Sequence, residues 1–484
     1  VTITNEDEST DFWEWDVDPL TRHPIIPAED LREIEERCLS ADSVVFHNAK
    51  FDITALESII PGIGAKWPWD RTHDTLYLAH LLGSNLPKNL TALAVQYLGI
   101  DIEPFENAID KAVTEARRLC RRKDFIERHG EWRIAKQGLP EMPSAKEKCG
   151  KNDMWLPRAV AKSEGYAPDH PWWTVLQEYA NPDSVVTLVL YREMTRIVRE
   201  RGLEAIYETR RKLIPVVYEM ERAGVTVNKR RVRELADRYR VESHDAGLAC
   251  REIAAEYGYD LTLPKSGNNK SLTEFCFGDK PVPDEELEAM GVLSAPNVKW
   301  LDLPVVGRTD TGNPSLDKGA METYLAVLPE GNQRRFIEEL VGKRSRDTGI
   351  SYLEGYERFW LPVEGQEDWV RMFPSINATG TDTLRMSSQN PNEQNISRKK
   401  GLNLRYAFGP APGREWWCMD AKNIERRLPA YDCKEDEVIA LFERPDDPPY
   451  YGSEHGMVAH ILFPREFETC VGEDGNLDAR IFKD

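Results

Sequence analysis

The sequence predicts a multidomain protein of mixed α/β and α+β class, and three features carry that expectation. At 484 residues the chain exceeds what one hydrophobic core accommodates, so two or three domains are expected. The β-branched and aromatic run Ser43-Val44-Val45-Phe46 passes through a polar turn into the apolar-periodic Ile53-Thr54-Ala55-Leu56, the pattern of a buried strand feeding a helix. Between about residues 205 and 356 the pattern is chiefly helical, and beyond it short apolar runs return, ending on Trp416-Trp417-Cys418-Met419.

Composition narrows the class further. Hydrophobic residues make up 40%, enough for substantial cores, and no apolar run reaches the roughly 18 residues of a membrane span. The first residues, Val1 to Asp7, have no basic segment followed by an apolar one, so a soluble protein of the cytoplasm is expected. Eight cysteines stand without a CxxC pair, which argues for reduced, mostly buried thiols. The net charge of −20 disfavours indiscriminate binding of polyanions, yet basic clusters stand at Arg117 to Lys123, Lys229 to Arg233, Lys343 to Arg346 and Arg398 to Lys400. Each of the first three reads as a solvated helix face or loop.

Along the first third, Val1 to Thr4 and Asp11 to Val17 read as two strands of one sheet with Ser43 to Phe46. After that strand, His47-Asn48-Ala49-Lys50-Phe51-Asp52 aims Asp52 from a strand-helix junction. Asp74-Thr75 and Asn89 to Ala94 read as an acidic position and a following helix. Tyr179 and Asp183, four apart, fall on one helix face, where a phenol and a carboxylate address one metal-bound water. Taken in order, these stretches resemble the second and third motifs of the DEDD 3′-5′ exonucleases, which have a ribonuclease H-like fold. The resemblance implies that Asp52 and Asp183 bind metal and that Tyr179 orients the attacking water. Two-metal hydrolysis needs a further Asp-x-Glu, which is expected just before Val1. Residues 1–204 are therefore expected to form an exonuclease-like domain lacking its first strand. The charged stretch around 117–168 is read as an insertion, a helical arm over DNA.

The rest opens with an amphipathic helix from Leu213 that stops at Gly224 before a short strand, Val225 to Asn228. Farther on come Thr383-Leu384-Arg385-Met386-Ser387-Ser388, Pro391-Asn392-Glu393-Gln394-Asn395, Arg405-Tyr406-Ala407-Phe408, and the apolar run that ends on Asp420 and continues Ala421-Lys422-Asn423-Ile424-Glu425. Arg, Gln and Asn are donors suited to the minor groove, where acceptors lie at similar places in every base pair. A carboxylate at the end of a buried strand can hold magnesium.

This half resembles the family A DNA polymerases, of a phage-like kind. The resemblance implies a helical thumb over 205–356 and the first part of a palm over 357–484. The fingers and the second palm aspartate are expected beyond Asp484, so a chain cut at both ends, or a natural split completed by a second polypeptide, is anticipated. Asp420 would ligate two Mg2+ ions with help from the Ala421 carbonyl, and Glu425 would crowd the sugar 2′ position of the incoming deoxynucleoside triphosphate. Arg385, Gln394, Asn395, Asn392 and Arg405 are assigned to primer-template DNA, with Asn392 and Ser388 also holding their loop together. Leu384 stands where the family has glycine, so a different local backbone is expected there. The resemblance implies DNA synthesis with proofreading. The polypeptide of residues 1–484 by itself is expected not to polymerise, since one carboxylate does not organise two metal ions. A DNA-binding split subunit and a stand-alone nuclease are the alternative readings.

Overall fold

The computed structural model describes residues 1–134, 153–264, 267–280, 298–396, 402–421, 423–443 and 454–470. The chain divides into two compact units, Val1–Pro412 and Gly413–Asp484.

In the first unit, β1 (Thr2–Thr4) and β2 (Thr10–Phe12) form an antiparallel hairpin with Ile3 opposite Asp11. Helix α1 (Ala28–Ser40) leads to β3 (Val44–Phe46), which pairs in parallel with β4 (Thr72–Asp74). Parallel strands need a crossover, supplied here by α2 (Ala49–Ile59) and the short α3 (Ile63–Lys66). The expected single sheet is thus two separate ladders among the described residues. The second strand also stops early. Its hairpin ends with Trp13 N–H donating to Val1 O at 2.9 Å, after which the chain turns back through an isolated bridge between Val17 and Pro24.

Asp74 closes β4 and caps α4 (Thr75–Leu82) by accepting from Leu76 N at 2.8 Å. The short α5 (Leu90–Leu93) follows. Helices α6 (Glu103–Cys120), α7 (Lys123–His129) and α8 (Leu156–Ser163) enclose a small core of their own, in which Val113, Phe125 and Val160 meet Trp172 and Val175. Val175 opens the long α9 (Val175–Glu200). The described part of the expected arm therefore folds back onto α9, because its apolar stripe has a partner there; residues 135–152 lie outside the described residues. Arg117, expected on a solvated face, is buried against the fully buried Asp153, with Nε to Oδ2 at 2.6 Å, and Arg22 reaches the other carboxylate oxygen at 2.9 Å.

Helices α10 (Glu204–Arg211) and α11 (Leu213–Ala223) lead to β5 (Val225–Asn228), where the sequence places a strand. Gly224 has φ 58°, and a Cβ there would stand 2.5 Å from Met372 O, so the turn needs glycine. α12 (Lys229–Glu256), α13 (Lys270–Phe277), α14 (Lys318–Val327) and α15 (Asn332–Glu357) form a helical layer around Phe275, Tyr324, Phe336 and Leu340. Lys343 and Arg346 of the third basic cluster pair with Asp347 and Glu242, joining α15 to α12. Strands β6 (Leu361–Val363) and β7 (Gln366–Met372) complete a three-stranded sheet, with β5 paired to β7 so that Val225 faces Met372. The last hairpin of the unit, β8 (Ser375–Asn377) and β9 (Ser387–Gln389), places Ile376 and Ala378 in the same core as Ile53, Leu78, Leu190 and Val217.

The second unit contains α16 (Ile424–Cys433), α17 (Asp436–Glu443), α18 (Glu454–Leu462) and α19 (Pro464–Thr469). The strand expected over Trp416 to Met419 is not formed. That run is irregular, with Trp417 85% and Met419 94% exposed. A strand needs a neighbour for its backbone groups, and the described residues of this unit offer only helices. No helix among the described residues is long and apolar enough to cross a membrane.

The buried Arg22–Asp153–Arg117 triad yields a prediction. Asp153→Asn removes the negative charge between two guanidinium groups and lowers stability by about 3–5 kcal/mol in urea unfolding. A loss below about 1 kcal/mol would show that the triad contributes little to the fold.

Candidate nucleic-acid interface and carboxylate sites

The hairpin β8–β9 carries the loop with Arg385. Leu384, where glycine was expected, has φ 64°, so the backbone takes the left-handed form that glycine favours, although the side chain is leucine. At a leucine this conformation bears a strain of about 1–2 kcal/mol. Arg385 is exposed, and its carbonyl accepts from Thr381 Oγ1 at 2.7 Å.

After β9 the chain turns through a cis Asn390-Pro391 bond into the second polar stretch. Ser388 is buried and organises it. Its hydroxyl donates to Asn392 Oδ1 at 3.2 Å and accepts from Glu393 N at 3.1 Å and Gln394 N at 3.3 Å. Gln394 Nε2 donates to Met386 O at 3.0 Å, which fixes the amide orientation and leaves its second N–H outward. Asn392, Gln394 and Asn395 are exposed on this stretch. Glu393 is partly buried, its Oε1 has no hydrogen-bond partner, and burial pushes its carboxyl up to about 7. Arg405 lies exposed on a 3-10 turn, Leu404–Ala407, and Nε approaches Ile396 O at 3.5 Å. Beside it Arg231 stacks its guanidinium over the rings of Tyr406 and Trp369. Arg398, Lys399 and Lys400 lie outside the described residues.

The expected N-terminal carboxylates fall on two helices, Asp52 on α2 and Asp183 on the long α9. Asp52 sits in the first turn of α2, after Asn48 turns the chain with φ 80°. Burial, and then the charge of Asp74, raises its carboxyl to about 7. Asp74 accepts from the backbone N–H groups of Asn48, Ala49 and Leu76 at 3.0, 2.8 and 2.8 Å, and burial still raises it above the usual carboxylate range. Tyr179 packs with Trp155 and Leu176 against the small helical core, and Asp183, farther along α9, accepts from Thr187 Oγ1 at its carbonyl at 2.8 Å. Asp74 is thus a charged neighbour of Asp52. Among the described residues no group of three or more His, Cys, Asp or Glu side chains is placed to hold a metal ion.

In the second unit Asp420 and Ala421 are exposed, and the Ala421 carbonyl accepts from Ile424 N at 3.3 Å as α16 begins. Glu425 lies exposed in the first turn of that helix. Residues with no sequence signal also bear on the interface: His80 and Arg210 reach the Arg385 loop, and Lys50 and Glu221 reach β8.

No family model matches the sequence. The DNA polymerase I of Rhizobium leguminosarum is 26% identical over 301 residues, covering 61% of this chain and 25% of its own length. DNA polymerase DpoZ of Vibrio phage phiVC8 is 27% identical over 265 residues, covering 53% of this chain and 37% of its own. A DNA-directed DNA polymerase of Pseudomonas phage M6 is 22% identical over 384 residues, covering 76% and 50%. Among solved structures, the POL domain of Pol1 from M. smegmatis in complex with DNA primer-template and dNTP matches 95% of this chain and 60% of that one, with 18% identity and a TM-score of 0.50. The chain is similar to DNA polymerase I and to phage DNA polymerases, and it spans between a quarter and a half of the length of these curated relatives.

Asp52 binds its proton more tightly in the folded chain than in the unfolded one, so between about pH 4 and pH 7 the folded state holds extra proton and this contribution to stability falls as pH rises. In buffer free of divalent cations, the stability of Asp52→Asn relative to the parent therefore rises from pH 4 to pH 7 and then levels off. A difference independent of pH, in urea midpoints, would contradict the placement of Asp52.

Proposed function

We propose that the protein is a template-dependent DNA polymerase of family A whose N-terminal part has the ribonuclease H-like form of a 3′-5′ exonuclease, followed by a thumb and the first part of a palm. The observation that carries this reading is the paired loop of β8–β9. Arg385 stands exposed on it beside a left-handed Leu384, and Gln394 and Asn395 stand exposed on the stretch after β9 that Ser388 holds.

The reading assigns the loop to the minor groove of a primer-template. Purine N3 and pyrimidine O2 accept hydrogen bonds at similar positions in all four pairs, so a guanidinium and two amides test pair geometry without choosing a sequence. Arg385 contributes charge-assisted donors, and Gln394 its remaining N–H. Arg405 adds an exposed cation for the phosphate backbone. Glu425 would take the incoming sugar and exclude a 2′-hydroxyl.

Magnesium belongs to the proposed chemistry, where it would neutralise the triphosphate and activate the primer hydroxyl. The described residues do not assemble a donor set for it: Asp420 is one carboxylate, and Asp74 is taken up by three backbone N–H groups. What this chain's own residues do on this reading is bind the duplex, set the register of the primer end, and position one carboxylate for the ions.

The test is binding of a labelled primer-template duplex at fixed salt. Arg385→Ala weakens binding by roughly 1–3 kcal/mol, and by the same amount whichever base pair ends the primer. Unchanged affinity, or a loss confined to one base pair, would contradict the assignment.

A further inference from the structure

We infer that His80 and Arg210 are positioning residues for DNA recognition: together they fix the backbone that presents Arg385, and so make the N-terminal part of the chain a component of the primer-template grip. The inference rests on the assignment of Arg385 to DNA.

His80 is buried on α4, and its Nε2 lies 2.8 Å from Thr381 O while its Nδ1 lies 3.0 Å from Arg210 Nη2. A carbonyl only accepts and a guanidinium only donates, so the proton sits on Nε2 and Nδ1 is bare. The imidazole is therefore neutral and bridges the two. Arg210, near the end of α10, uses the rest of its fork on the same loop, donating from Nη2 to Ala378 O at 2.8 Å and from Nη1 to Leu384 O at 3.2 Å. Three carbonyls of the loop, at 378, 381 and 384, are thus held by two side chains from elsewhere in the fold.

The consequence for Arg385 is direct. The carbonyl before it, Leu384 O, is held by Arg210, and the carbonyl after it, Arg385 O, is held by Thr381 Oγ1. Thr381 is itself held by His80. With both flanking peptide units fixed, the direction of the Arg385 side chain from its Cα is set in advance of binding. At the foot of the hairpin a second link repeats the arrangement. Lys50 of α2 donates to Ile376 O and to Glu221 Oε1, and Glu221 accepts from Ile376 N. That second link anchors the strand, whereas His80 and Arg210 anchor the loop.

The experiment measures the affinity of the full 484-residue chain for a labelled primer-template duplex. His80→Ala weakens binding about fivefold or more in the parent chain and adds nothing in an Arg385→Ala background, the signature of two residues acting through one contact. His80→Gln, whose amide can donate to Thr381 O and accept from Arg210, restores most of the affinity. Arg210→Lys keeps the charge but loses the fork, and gives the same non-additive loss if His80→Ala does not fold. Equal losses in both backgrounds, or no loss from either variant, overturn the inference while leaving the role of Arg385 intact. No loss from Arg385→Ala overturns the functional reading and this inference with it.

Discussion

Backbone carbonyls between Ile376 and Leu384 have few partners within their own short hairpin, and the fold satisfies them from outside, with Lys50, His80 and Arg210. An unmet carbonyl in a buried setting costs about as much as a lost hydrogen bond, so these three side chains hold the hairpin in one place. The apolar side of the same hairpin is buried with Ile53, Leu78 and Val217, which gives the clamp a packed floor. Everything proposed for DNA recognition depends on that placement. A guanidinium on a loose loop would lose conformational entropy on binding, whereas one held in advance does not.

The carboxylates follow a different logic. Asp74 is spent on structure, capping α4 and accepting from the turn at Asn48 and Ala49. Burial, and then the negative charge of Asp74, make Asp52 reluctant to ionise. Such a pair is the kind of environment that a cation or a proton can relieve, but the described residues bring no third donor to it. In the second unit Asp420 stands exposed at the head of α16, without the flanking strand that its apolar approach implied.

Local features were legible in the sequence where local physics decides them. The strand at Val44–Phe46, the helix after it, the stop at Gly224 and the strand Val225–Asn228 all follow from periodicity and turn chemistry. The loop-holding role of Ser388 and Asn392 was also readable, because a buried hydroxyl beside free amide groups has little else to do. Long-range pairing was not readable. Nothing local to Val225 announces β7, more than a hundred residues on. Arg117 looked like one more solvated cation, since its partner Asp153 lies across a charged stretch with no periodic signal. His80 and Arg210 were invisible for the same reason: each is one polar residue on an ordinary helix, and its meaning lies in a loop far along the chain. At Trp416–Met419 the apolar composition suggests a strand, but a strand is a property of two segments, and the run stands exposed.

DNA recognition on this reading requires that a pre-set Arg385 meet an acceptor common to all base pairs in the minor groove. Replacing the purine at the primer terminus by its 3-deaza analogue removes that acceptor and leaves the pairing face and the major groove as they were. The parent chain should bind such a duplex more weakly than the natural one, while Arg385→Ala should bind the two equally. Equal binding of both duplexes by the parent chain would contradict that reading.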